Sequence, residues 1–114
     1  MKVLFTVRRV YFDQIVAGTK TEEIRKAVPR WVTVAQHLAR DDREGRLNRA
    51  IFMCGPRLHY REIVGVEVMA EGAASVLGRP LSEQGQLDVG QGPVVVFHLG
   101  DSLPSPVVPE RGRE

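Results

Sequence analysis

AGTKTEEIR, residues 17–25, is the stretch in which the chain changes period, and that change decides how its neighbours are read. Just before it, Phe12, Ile15 and Val16 recur at i, i+3 and i+4, the spacing of one helix face. Gly18 stands where a helix takes a left-handed residue to close its last turn. From Thr21 the period becomes two. Thr21, Glu23, Arg25 and Ala27 point one way, and Glu22, Ile24, Lys26 and Val28 the other, until Pro29 ends the pattern. A short helix thus hands over to a strand through a turn carrying Lys20. Glu23 and Arg25 leave that strand on the same side, so an ammonium, a carboxylate and a guanidinium converge.

Upstream, KVLFTVRR sets Val3, Phe5 and Val7 against Leu4 and Thr6, which reads as a well-buried opening strand. Downstream, TVAQHLAR reads as a second helix, with Thr33 and Gln36 spaced as a capping box and RDDREGRLNR after it as a solvated loop. AIFMC (50–54) and EIVGVEVMA (62–70) read as strands joined antiparallel through GPRLHY. In the second of them Val64, Val66, Val68 and Ala70 fall on one face and Ile63, Glu67 and Met69 on the other. Residues 71–93 are rich in turn formers, with a short helix expected near LSEQ, and VVVFHL (94–99) is the last strand. The order β-α-β-α-β-β-(α)-β over residues 1–100, with about five to six strands and two or three short helices, predicts an α+β domain or a small mixed β-barrel rather than a doubly wound parallel sheet. Residues 101–114, proline-rich and without period, read as a disordered or loosely packed tail.

A chain of 114 residues is long enough to bury roughly two thirds of its unfolded surface without disulfides or metal. The lone Cys54 cannot form an internal disulfide, and no basic segment precedes a long apolar run, so a cytoplasmic location is expected. No stretch approaches the ~18 to 20 apolar residues of a membrane helix. The net charge of +2 conceals an asymmetry: residues 1–49 carry eleven Lys/Arg and six Asp/Glu (+5), residues 50–114 five and eight (−3). A basic first half suits an anionic partner. His37, His59, His98 and Cys54 are too dispersed for a metal-ligand set, no phosphate loop or nucleophile elbow occurs, and neither metal nor cofactor is expected.

The converging charges suit a planar polar ligand. Arg25 offers a rigid donor fork to phosphate or carbonyl oxygen, Glu23 accepts from an amino or imino group of a base, and Lys20 serves as a phosphate contact or an activated amine. Arg8 and Arg9, beside Tyr11 and Phe12 at the end of the first strand, are candidate backbone contacts. Trp31, the only tryptophan, is read either as stacking on a base at the cleft edge or as buried against the barrel.

The pattern Gly18-x-Lys20-x-x-Glu23-x-Arg25, preceded by YFDQIVAG and followed later by REIVGVEV, resembles the signature of the ASCH domain family, whose fold is similar to that of the PUA domain. The resemblance spans about residues 2–100 and implies a small barrel with a cleft in which the motif's charged residues face RNA, a nucleoside or a nucleotide. One enzymatic branch of the family hydrolyses the amide of N4-acetylcytidine with the motif lysine, a threonine three residues later and a downstream glutamate. For an enzyme of that kind the resemblance carries over Lys20; Glu23 stands in the threonine position and removes the expected hydroxyl, which leaves Glu23 as acid or base, Thr21 as a shifted hydroxyl, and Glu67 or Glu83 as the downstream carboxylate. For a ribonuclease branch only Lys20 carries over.

Overall fold

The computed structural model describes residues 1–69 and 92–104. Five strands and two helices follow in the order β1 (Lys2–Thr6), α1 (Arg9–Ala17), β2 (Glu22–Lys26), α2 (Pro29–Arg43), β3 (Asn48–Cys54), β4 (Arg57–Met69) and β5 (Val94–Leu103). The strands form one mixed sheet in the order β1-β3-β4-β5-β2, with β1 parallel to β3 and the other neighbours antiparallel. Curled into a half-barrel, the sheet leaves β1 and β2 as its two edges. This is the α+β mixed barrel that the alternation of periods allows and the family resemblance implies. Among the described residues no helix is long and apolar enough to cross a membrane. The helix expected near LSEQ, Glu83 and residues 105–114 lie outside the described residues.

The concave face is filled by alternate residues of the strands and one stripe of each helix. Val3 and Phe5 from β1, Ala50 and Phe52 from β3, Ile63 from β4 and Val95, Phe97 and Leu99 from β5 meet Phe12 and Ile15 of α1 and Trp31, Ala35 and Leu38 of α2. Phe5 is the hub: its ring stacks on Trp31 and on Phe52, each at 5.3 Å, and meets Phe97 edge-on at 5.0 Å. Such ring pairs add about 0.5 to 1.5 kcal/mol each beyond the area they bury. Of the two readings of Trp31, the fold shows burial: it is 8% exposed. β5 is covered on both faces, because Val94 and Val96 on its far side pack with Ile24 and Met69. A continuous apolar run, VVVF, is the sequence mark of a strand in that position.

The period change at AGTKTEEIR is realised as read. Gly18 closes α1 at φ 80°, in the left-handed region, and its N–H donates to the carbonyls of Gln14 and Ile15. Strand β2 pairs with β5, placing Glu23 opposite Phe97 and Arg25 opposite Val95 on the core side, and Ile24 opposite Val96 on the other.

Five local expectations are corrected. Helix α2 begins at Pro29, not at Thr33, with Val28 extended before it. Proline at the first helical position is preset in φ and lacks an N–H that would have no partner there, so no Thr33 capping box is needed. The same helix runs on to Arg43, through residues read as a loop. Asp41 is buried there and lies 3.9 Å from Arg46, while the Asn48 side chain donates to the Leu38 carbonyl at 3.1 Å and ties the second half of the helix to the start of β3.

The turn between β3 and β4 is shorter than GPRLHY. Only Gly55 and Pro56 separate the strands, Gly55 at φ 58°. In β4 the expected faces of Ile63 and Val64 are exchanged: Ile63 joins the core and Val64 is exposed, whereas Val66 packs on the core cluster. Irregular pairing with β5 between Arg61 and Gly65 shifts the phase by one residue, which no period-two count anticipates. Last, β5 does not end at Leu99 but continues to Leu103, pairing Ser102 with Arg61 and Leu103 with Tyr60.

Candidate functional site

Lys20, Glu23 and Arg25 come together at the seam between the two sheet edges. Glu23 projects from β2 toward the core side, with its side chain only 7% exposed. A carboxylate so placed needs compensating positive charge, and two neighbours supply it. Arg25 Nε donates to Glu23 Oε2 at 2.8 Å. Lys20 Nζ stands 3.5 Å from Glu23 Oε1, an ion contact not aligned as a hydrogen bond, and donates instead to the Glu22 carbonyl at 2.6 Å. Glu23 Oε1 is therefore a buried acceptor without a hydrogen bond.

Arg25 links the edges of the half-barrel. While its Nε holds Glu23, its NH2 reaches across to the carbonyl of Thr6, at the end of β1, at 3.0 Å. Its guanidinium carbon lies 5.2 Å from the Phe5 ring centre and 5.3 Å from that of Trp31, within the range of cation–π attraction. Two edge strands that share no ladder are thus joined by one side chain.

The Lys20 ammonium also lies 5.2 Å from the centre of the Tyr11 ring. Tyr11 comes from α1, so the helix that precedes the motif contributes a wall to the same site. The sequence sets Tyr11 beside Arg8 and Arg9 and does not join it to Lys20. The signal available was weak, because a contact between residues nine apart depends on how the Gly18 turn folds the chain back.

Arg61 is a second residue that the sequence left unassigned. It is 5% exposed on β4, and three main-chain carbonyls accept from it: Gly100 from Nε at 2.8 Å, and Lys20 and Ile15 from NH1 at 2.8 and 3.3 Å. Burial pushes its pKa below the usual arginine value, and the Asp101 carboxylate opposes that shift. Alternation along the strand does not mark it, because the core side of β4 at Arg61 is set by its pairing with the buried Ala50 of β3.

The remaining candidates fall elsewhere. Arg8 precedes the first turn of α1 and is exposed; Arg9 is 82% exposed, with Asp13 of the same helix at 4.0 Å. Trp31 has one face on Phe5 and the Arg30 guanidinium 4.6 Å from its ring centre, so it supports the site from the core. The Thr21 hydroxyl donates to Glu22 Oε2 at 3.0 Å. Glu67 lies opposite Val96, on the face away from Glu23, and pairs with His98 at 2.6 Å. Of the two carboxylates weighed as partners for Lys20, the fold turns Glu67 away and Glu83 lies outside the described residues. Among the described residues no group of three or more His, Cys, Asp or Glu side chains is arranged to hold a metal ion.

The mixed half-barrel has a counterpart among solved proteins. The structure is similar to the crystal structure of a serine-to-alanine mutant of ZmASCH from Zymomonas mobilis, with a TM-score of 0.59 and 17% sequence identity over 90% of this chain and 70% of that one. The fold is that of an ASCH domain. No family model and no curated protein sequence matches the chain. In this ASCH-like fold the motif GxKxxExR supplies the helix-closing glycine, the ammonium, the buried carboxylate and the strap between the sheet edges, all from eight consecutive residues.

Proposed function

We propose that this protein belongs to the ASCH family and binds RNA, or a nucleoside or nucleotide, at the seam lined by Tyr11, Lys20, Glu23 and Arg25. The observation that carries the reading is the Glu23 carboxylate. One oxygen is saturated by Arg25, and the other is buried with no hydrogen bond. That oxygen has only the Lys20 ammonium at 3.5 Å, with no aligned donor, so a ligand donor that opens the seam would gain a charge-assisted hydrogen bond there. The amino or imino edge of a nucleobase is such a donor, and the Lys20 ammonium above it suits a carbonyl or phosphate oxygen. Excess positive charge in residues 1–49 favours the approach of a polyanion.

The test is binding of short RNA and of the free nucleosides across a salt series. Lys20→Ala and Arg25→Ala should each weaken binding by about ten-fold or more while the protein stays folded, and RNA affinity should fall as salt rises. Unchanged affinity in both variants would sink the proposal.

A second reading, an amidohydrolase acting on N4-acetylcytidine or a related modified nucleoside, is supported by one observation. Lys20 Nζ and Glu23 Oε1 are 3.5 Å apart, an ammonium and carboxylate close enough to act as an acid–base pair on an amide and its attacking water. Released cytidine measured against a Lys20→Ala control decides it, and equal rates in the two proteins eliminate this reading.

A further inference from the structure

The turn that carries Lys20 is held from two sides. On the helix side the Gln14 carbonyl accepts from the N–H groups of Thr19 and Lys20 at 3.0 and 3.2 Å. On the sheet side Arg61 NH1 donates to the Lys20 carbonyl at 2.8 Å and to the Ile15 carbonyl at 3.3 Å, while its Nε holds Gly100 on β5. The main chain of Lys20 is thus gripped at both its N–H and its carbonyl. Its ammonium is in turn directed by the Glu22 carbonyl, the Glu23 carboxylate and the Tyr11 ring.

We propose that Arg61 is a positioning residue for Lys20: by clamping the last turn of α1 and the motif turn onto β5, it sets where the Lys20 ammonium stands relative to Glu23. Burying a guanidinium against neutral carbonyls is expensive, and an apolar side chain would fill the same space at lower cost if packing were the only demand. What the guanidinium adds is a rigid planar fork that serves carbonyls on two elements at once. The Ile15 carbonyl belongs to the C-terminal turn of α1, where the helix dipole favours a cation. Lysine, with one nitrogen on a flexible stem, cannot reproduce that geometry, so Arg61→Lys should loosen the turn although charge is kept.

This inference concerns the site proposed above, but its test does not need a ligand. The chain holds three lysines, Lys2, Lys20 and Lys26, and the rate at which each reacts with limiting acetic anhydride can be followed by peptide mass spectrometry. In Arg61→Lys and Arg61→Met, Lys20 should react about five-fold faster than in the unmodified protein, with Lys2 and Lys26 unchanged. Leu38→Ala serves as the control, since it weakens the core away from the turn and should leave Lys20 reactivity as it was.

Overturning results are a folded Arg61→Lys protein with unchanged Lys20 reactivity, or an equal rise in Leu38→Ala. RNA and nucleoside binding measured on the same samples separates the two proposals. If the unmodified protein binds neither, the proposed function fails while the labelling result still decides the role of Arg61.

Discussion

Arg25 and Glu23, two residues apart on one strand, form a 2.8 Å charge-assisted hydrogen bond on the core side of the sheet, and the same arginine reaches the opposite sheet edge at Thr6. A single pair therefore serves two purposes: it neutralises a buried carboxylate and it closes the half-barrel. Stability and site geometry are coupled through it.

Replacing Glu23 by Gln keeps the volume but removes the charge. We expect a loss of about 1 to 3 kcal/mol in unfolding free energy, the range for hydrogen bonds to charged groups. Arg25→Lys should cost a similar amount by giving up the fork that spans Glu23 and Thr6. Urea denaturation of the two single variants and the double variant tests the coupling: strict additivity would mean that the pair does not act as a unit.

Gly18 takes φ 80°, and a Cβ built on it meets nothing within 4 Å. Gly18→Ala is therefore a backbone experiment without a steric clash. It should destabilise by about 1 to 2 kcal/mol, the cost of a left-handed conformation for an L residue. Gly18→Asn should recover part of that, because asparagine tolerates the region better. Equal stability of all three proteins in thermal or urea melts would contradict the assigned turn.

Phe5 is completely buried and touches three other rings. Phe5→Ala should cost about 3 to 5 kcal/mol, as expected for a large cavity in a close-packed core, whereas Leu4→Ala on the opposite, exposed face of β1 should cost less than about 1 kcal/mol. Chemical denaturation measures both.

Burial, helped by the charge of Arg61, holds the His59 imidazole below its ordinary pKa. As pH falls through about 6.5 the unfolded chain takes up a proton at this position before the folded chain does, so this site withdraws stability toward acid pH until the folded pKa is passed. His59→Gln, which has no proton to gain and has an amide in place of the ring nitrogen bonded to Ser102, should flatten that acid limb between about pH 7 and pH 5. Parallel slopes of unfolding free energy against pH for the two proteins would refute the assignment.

Local chemistry made much of this protein legible. Alternation and turn residues were enough for β1, the end of α1 at Gly18, β2 and the antiparallel β3–β4 pair, because each depends on interactions only a few residues long. The convergence of Lys20, Glu23 and Arg25 followed from the same local rule, that strand residues two apart share a face. Pro29 was read as a strand terminator but is also a helix start, a role that depends on the chain continuing in helical conformation beyond it.

What the tertiary structure alone decided are the relations that cross the sequence. The irregular pairing of β4 with β5 exchanged the faces of Ile63 and Val64, because phase in a long strand is set by its partner as well as by its own alternation. The same applies to Arg61, whose three acceptors come from α1, the motif turn and β5. Glu67 was turned from the motif to His98 by the register of β4 on β5. From residues 17–25 the sequence determined which charged groups stand together. Closure of the half-barrel determined how deeply Glu23 is buried and what Arg25 must bridge, since burial and reach depend on where distant strands come to lie.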